Sequence, residues 1–252
     1  MTRKRAFVNI FYPIAALGVV LGIWAAVSAS ADNPIILPGL GEIFAELGRL
    51  LGNAASWKAA GMTLLRILGS FALSFAAAAL LAAVGVAVKP LHGFLSPIVT
   101  VLQAAPTMAV ILLAVIWLDG SEVPLLIGFL ICFPLLYTSI RSAIENVDGD
   151  ILQMAELYRV RWRDKIARIY VPMMFSLVAD GARGTVSLAV KVVIAAEVLA
   201  QTKTSIGLEM QFASILFNVS TLLAWTILAI ALSFLLEGAA AGIKKLWEAR
   251  RG

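Results

Sequence analysis

Apolar runs near or above the roughly 20 residues needed to cross a bilayer recur along this chain. That recurrence limits its possible folds more than any other feature. Backbone inside hydrocarbon must satisfy its own N–H and C=O groups, so such runs read as membrane-crossing helices. A soluble domain would need several buried, nearly uncharged helices. A composition that is 61% hydrophobic and 14% charged argues against it. The expected fold class is all-α, a polytopic membrane protein with about six transmembrane helices.

The first span is expected from about Phe11 to Ser30, behind an Arg3-Lys4-Arg5 flank. The run is long and lacks a small-residue cleavage site, so it reads as an uncleaved span. Asn33 to Pro38 should be extended or turning, because each proline restricts the residue before it. Leu40, Ile43, Phe44, Leu47, Leu50 and Leu51 mark an amphipathic interfacial helix. The second span, about Gly61 to Val88, is rich in alanine and glycine and should pack closely on other helices. Arg66 lies close to its outer end, where it can snorkel to the interface. Lys89-Pro90 reads as a short inner turn. The third span, about Phe94 to Leu118, should break at Pro97 and Pro106. The fourth, Val123 to about Ser142, holds Pro124 and Pro134. The fifth runs from about Met173 to Leu199, and the last from about Leu222 to Ala241.

Polar residues inside these spans are the candidate translocation-pathway groups: Gln103, Thr107, Ser187, Lys191 and Glu197. Gln103 and Thr107 are four apart and should share a helix face, in either an interhelical hydrogen bond or a pore contact. Asp180, Gly184, Ser187 and Lys191 fall on one stripe of a helix. Arg183 is placed to pair with Asp180. Lys191 and Glu197 are six apart and lie on different faces, so each needs a partner elsewhere or a watery cavity. Structural ion pairing and a functional role are both open for them.

The longest polar interruption is Asp150 to Pro172. Ile151, Met154, Ala155, Tyr158, Trp162, Ile166 and Ile169 recur at helical spacing and make an apolar stripe. Arg159, Arg161, Arg163, Lys165 and Arg168 lie off it. Asp150 followed by Gln153 reads as a capping box, and Pro172 as a break or kink. The segment should be a short amphipathic helix, or two with a bend, outside the bilayer. Two readings fit it: a basic helix resting on anionic membrane lipid, or a docking element for a soluble partner.

Charge placement gives the topology. With six spans both termini share one side. That side collects Arg3, Lys4, Arg5, Lys89, Arg141, the cations of Asp150 to Pro172, and Lys244, Lys245, Arg250 and Arg251. The other side has Arg49, Lys58 and Lys203, with Arg66 near it. The rule that cytoplasmic loops are positive puts both termini and the polar segment in the cytoplasm.

The polar segment resembles the cytoplasmic coupling loop in permease subunits of binding-protein-dependent ABC importers. That loop reads Glu-Ala-Ala, three residues, Gly, nine residues, Ile, one residue, Leu-Pro. Counted back from Pro172, its Leu falls on Val171, its Ile on Ile169, its Gly on Arg159, and its Glu-Ala-Ala on Gln153, Met154 and Ala155. Gln153 thus replaces the glutamate and Arg159 the glycine. The wording of Met154 to Val160, and Lys191 to Leu199, resembles the nitrate/sulfonate/taurine branch. Ser205-Ile206-Gly207-Leu208 resembles the re-entry before the last span, and the likeness extends from about Pro34 to Glu237.

The resemblance implies a type I ABC importer permease fold, one domain over 1–252 with a core at 58–240 and a coupling loop at 143–172. It implies that Gln153, Met154, Ala155, Glu156, Tyr158, Arg159, Val160, Ile169 and Pro172 couple to an ATPase. The implied partners are a cytoplasmic ATP-binding subunit, an extracytoplasmic substrate-binding protein and a second permease, the same chain or a similar one. Membrane lipid surrounds the spans. The implied location is the bacterial cytoplasmic (inner) membrane. No cofactor is expected on this chain, ATP and Mg residing on the partner. The implied solute is nitrate, a sulfonate, taurine or a thiamine-precursor pyrimidine.

Other classes fit less well. There is no Gly-x4-Gly-Lys-Ser/Thr string, so uphill transport needs energy from another chain. An ion-coupled secondary transporter is the alternative, but matching halves with Gly/Pro-broken spans are not evident. A membrane enzyme or a metal site lacks the residues: there is one histidine, His92, and one cysteine, Cys132. No basic tract with interleaved aromatics suggests nucleic acid.

Overall fold

The computed structural model describes residues 3–30 and 36–249. Asn33 to Ile35, at the start of the expected turn, lie outside them, as do Arg250 and Arg251. The described residues are helical, without strands. The order is α1 (Arg3–Ser30), α2 (Leu40–Leu51), α3 (Ala54–Ala87), α4 (Lys89–Ala104), α5 (Thr107–Trp117) and α6 (Val123–Glu145). Then come α7 (Gly149–Leu157), α8 (Trp162–Lys165), a π-helical turn (Ile166–Tyr170), α9 (Val171–Ala200), α10 (Ile206–Ile215) and α11 (Val219–Ala249).

Among the described residues, α3, α6 and α11 are long and apolar enough to cross a membrane. A fourth span is present if α4 and α5 count as one, bent by 98°. Within α1, Ala15–Ser30 is an apolar helical stretch. α9 matches the expected fifth span in position, and its load of Asp180, Arg183, Lys191 and Glu197 sets it apart from the others. The bend corrects one expectation. Pro97 is carried inside α4, and the break falls only at Ala105-Pro106. Pro90 and Pro124 each sit in the first turn of a helix, where the missing N–H has no intrahelical partner to lose.

The chain divides into two compact units. One comprises 1–57 and 209–227. In it, Trp24 Nε1 donates to the Pro38 carbonyl (3.2 Å) and Ser28 Oγ to the Leu37 carbonyl (3.1 Å). The expected amphipathic helix is α2, with Ile43 and Leu50 buried and Phe44 and Leu51 exposed. Arg49 Nε (2.9 Å) and Thr221 Oγ1 (2.6 Å) both donate to the Glu46 carboxylate. The Arg49 guanidinium holds that carboxyl below its ordinary range.

The other unit comprises 58–208 and 228–252. Its most extensive pairing is α6 along α9, with α5 against both. Ile111, Ala114, Val123, Ile127, Val192, Ala196 and Ala200 form the buried cluster at that junction. Small residues set the approach distances, as expected for helices packing without a strong hydrophobic drive in lipid. Gly128 on α6 has Ser70 of α3 on one side and Val193 of α9 on the other. A Cβ there would lie 2.5 Å from Ser70 Oγ and 3.0 Å from Val193 Cγ2. Ser74 Oγ donates to the Phe129 carbonyl (3.2 Å) beside it.

Gly128→Val should therefore lower the thermal midpoint of the detergent-purified chain by the overpacking penalty of about 1–3 kcal/mol. Gly93→Ala, with nothing within 4 Å of the added Cβ, is the matched control and should change it little.

Candidate functional site

The coupling candidates occupy α7, α8 and the turn between them. The cap differs from the expected one. Asp148, not Asp150, precedes the helix, and its Oδ1 accepts from the Asp150 N–H (2.9 Å). The chain leaves α6 two residues before Asp148, so that is where free N–H groups are exposed.

α7 ends in a Schellman motif. Arg159 N–H donates to the Glu156 carbonyl (2.9 Å) and Val160 N–H to the Ala155 carbonyl (2.9 Å). The motif requires a left-handed residue between them, and Arg159 supplies it with φ 48°. The loop pattern has its glycine at this position. The conformation gives the physical reason, since glycine enters that region without a Cβ clash. Here an arginine bears the strain.

The expected break at Pro172 does not occur. Helical winding passes from α8 through the π-helical turn into α9. In an α-helix the Pro172 ring would collide with the Arg168 carbonyl four residues back. The wider turn relieves this, with Val171 N–H donating to the Ile166 carbonyl five residues back. The bend lies instead at Tyr158 to Arg161.

The apolar stripe is split. Met154, Leu157, Tyr158 and Trp162 are exposed, whereas Ala155 is buried at 5%. Ala155 is thus packed within this chain and is not part of the exposed ridge. Gln153 and Glu156 are exposed beside that ridge, and Val160 and Ile169 are half-buried. Lys165 Nζ reaches Glu156 (3.7 Å), tying α8 to α7.

The pathway candidates do not form one site. Glu197 is fully buried, and its partners come from three places. Arg66 Nη1 donates to Oε1 (2.8 Å), Thr63 Oγ1 lies 2.9–3.0 Å from both oxygens, and Gly207 N–H donates to Oε2 (3.2 Å). Arg66 Nη1 also donates to the Thr204 carbonyl (3.1 Å), and Ile206 N–H to Thr63 Oγ1 (3.0 Å). The first N–H groups of α10 are thereby met by Thr63, Glu197 and Ser205, whose Oγ accepts from Leu208 N–H (2.9 Å). Gly207 makes this possible. A Cβ there would sit 2.5 Å from Glu197 Cβ and 2.8 Å from the Ile194 carbonyl oxygen.

Arg66 therefore does not snorkel; it is 9% exposed and paired. Burying either charge alone would be prohibitive, and each is the other's partner. Sequence reading noted Arg66, Glu197 and the Ser-Ile-Gly-Leu string separately. It missed Thr63 and the connection itself, which joins positions 131 residues apart.

The other four candidates have different surroundings. Gln103 and Thr107 end up on separate helices across the 98° bend, so they do not share a face. Gln103 Nε2 lies 3.4 Å from the Pro134 carbonyl, in a polar groove of about 160 Å³ between α4 and α6. Ser187 Oγ is 3.3 Å from Ser233 Oγ of α11. Lys191 is exposed, with no ion-pair partner among the described residues. Asp180, Gly184 and Lys191 are all exposed along α9, so the predicted stripe is open. Asp180 pairs with Lys244 (2.8 Å), not with Arg183, because Lys244 reaches both carboxylate oxygens from α11.

These features define a helical membrane subunit with a buried ion pair between α3 and α9 and an exposed apolar and basic segment between α6 and α9. The chain belongs to the family of inner membrane components of binding-protein-dependent transport systems, matched over residues 77–246. A protein of Methanocaldococcus jannaschii named as an ABC transporter permease is 23% identical over 221 residues, covering 85% of this chain and 82% of its own. A probable ABC transporter permease protein of Brucella melitensis is 25% identical over 207 residues, covering 82% and 84%. Among solved structures, the inward-facing MetNI methionine ABC transporter superposes with a TM-score of 0.60 at 15% identity, over 75% of this chain and 93% of that one. An amino acid ABC transporter gives 0.60 at 14% identity, over 77% and 92%. The fold is that of type I importer permeases. The protein is a non-catalytic permease subunit of an ABC importer, and ATP hydrolysis belongs to a separate ATPase.

Two outcomes follow. Arg66→Met and Glu197→Leu should each lower detergent stability by about 3–5 kcal/mol, because the partner charge is left buried and uncompensated, while the double variant Arg66→Met/Glu197→Leu should be milder than either single change. Thermal unfolding of the four proteins measures this, and strictly additive losses would refute the pairing. Arg159→Gly should raise stability by about 1 kcal/mol by relieving the left-handed position.

Proposed function

We propose that this chain and a second permease copy, identical or similar, form the pathway for a small solute across the bacterial cytoplasmic membrane. Two ATPase subunits, carrying ATP and Mg, dock on the α7–α8 segment. An extracytoplasmic binding protein delivers the solute. The solute class suggested by the sequence likeness is nitrate, a sulfonate, taurine or a thiamine-precursor pyrimidine. Both termini face the cytoplasm. The burial of Arg66 supports that orientation, since it leaves Arg49, Lys58 and Lys203 as the cations assigned to the far side.

One observation carries the docking reading. The exposed ridge Met154, Leu157, Tyr158 and Trp162 stands on a helix pair closed by a Schellman turn at the position where the coupling-loop pattern has its glycine. Large exposed apolar side chains on a charged segment mark an interaction surface. An amphipathic helix seated in a partner's groove is a standard way to use one. Movement of the ATPases would act on α7 and α8, and the helical winding from Trp162 to Ala200 would carry it into the bundle as a rigid-body shift.

The test uses Met154→Asp and Tyr158→Asp, not Ala155, whose substitution would disturb the chain's own packing. The double variant should keep its thermal midpoint and lose co-purification with the ATPase. Undiminished co-purification would sink the docking reading. In right-side-out vesicles, Leu157→Cys should resist an impermeant thiol reagent until the vesicles are opened. Cys132 is fully buried and gives little background.

A further inference from the structure

The apolar ridge leaves the cations of the coupling segment unexplained. Asp148 and Asp150 sit at the start of α7, Glu156 is met by Lys165, and Asp164 lies 3.6 Å from Arg168 Nε. Arg159, Arg161 and Arg163 are exposed, with no ion-pair partner among the described residues. They fall within five residues, at the corner where the Schellman turn reverses the chain. Beside that corner is an open groove of about 450 Å³ lined by Val160, Arg161, Asp164, Arg168 and Ile169. Its lining is mainly apolar and includes two arginines, Arg161 and Arg168, and one carboxylate, Asp164.

We propose that the ATPase partner presents a carboxylate side chain to the groove between Arg161 and Arg168, with further acidic groups facing Arg159 and Arg163. The α7–α8 corner is then an electrostatic latch added to the apolar seat. A guanidinium can offer a carboxylate paired N–H donors, and two guanidinium side chains line the groove. Asp164 lines the same groove and lies 3.6 Å from Arg168 Nε, which leaves Arg161 as the lining guanidinium without an ion-pair partner among the described residues. Like charges crowded at an unoccupied corner repel, and an acidic partner removes that repulsion on docking. The latch rests on the docking reading above, but it has its own signature: salt sensitivity.

The experiment measures affinity of the detergent-solubilised full chain for its purified ATPase subunit, at about 0.15 and about 0.5 M NaCl. Arg161→Gln/Arg168→Gln should weaken binding about tenfold at the lower salt, the loss of charge-assisted contacts at a partly exposed site. Raising salt should weaken the parent chain much more than the variant. Unchanged thermal midpoints exclude misfolding, which is expected because both side chains are exposed. Once the facing acidic residue is found, its change to arginine should restore binding to an Arg161→Glu chain. Equal affinity and equal salt dependence of parent and variant would overturn the latch while the docking reading stands. Retention of the ATPase by Met154→Asp/Tyr158→Asp would instead remove the docking reading. Vesicles of phosphatidylglycerol and of phosphatidylcholine supply the lipid arm. If neutralising the arginines alters only phosphatidylglycerol association and not ATPase affinity, the cations serve the membrane surface and the latch is wrong.

Discussion

A carboxylate with no exposure to solvent governs the larger unit of this protein. Glu197 could not remain ionised in an apolar bundle without donors around it. It has them from Arg66, Thr63 and the backbone of Gly207. Meeting that demand brings α3, α9 and the start of α10 together at one point. The opening turn of α10 contributes twice, through its unpaired N–H groups and the positive end of its dipole. A pair of this kind does little for net stability, since well-packed apolar residues could do as well. What it adds here is register. Glu197, Arg66 and Gly207 must each be in place for any of them to be satisfied.

The clamp and the coupling segment are joined by one stretch of helix. From Trp162 the backbone winds through α8, the π-helical turn and α9 without interruption to Ala200. α9 alone is about 45 Å long at the usual rise per residue. Along its length it is held by α6, through contacts made close by Gly128, and also by Gly181, where an added Cβ would collide with Ser139. The wide turn before Pro172 is the one local irregularity in that path. Such turns let a helix carry a proline without kinking.

Much of the fold could be read from residue patterns, because spans and amphipathic helices are set by local periodicity. α2, the breaks near Val88 and Pro106, and the position of the coupling segment all follow from nearby residues. What could not be read depends on distant partners or on the fine geometry of helix ends. Arg66 looked like an interfacial arginine because its sequence neighbours are apolar; only tertiary pairing places it beside Glu197. Asp180 had a suitable cation three residues on, yet Lys244 of α11 has better reach. Ala155 belonged to the stripe by spacing, but burial removes it from the surface. Pro172 signalled a break by ordinary α-helix geometry, and a change of winding avoided it. In the candidate site, the separation of Gln103 from Thr107 needed the bend angle.

Among the described residues, three helices end on left-handed residues that are not glycine: Arg159, Gln201 and Phe217. The last repeats the Schellman pattern, with Asn218 N–H donating to the Ala213 carbonyl (2.8 Å) and Phe217 N–H to the Ser214 carbonyl (3.1 Å). Each such residue costs roughly 1–2 kcal/mol relative to glycine, so each needs surroundings that enforce the turn. At Arg159 those surroundings are the two carbonyl acceptors of α7 and the Lys165–Glu156 contact that holds α8 in place. Glycine would satisfy the backbone better but would put no charge at the corner. At Arg159 a strained backbone and an exposed guanidinium therefore come together, the first required by the Schellman turn and the second facing solvent.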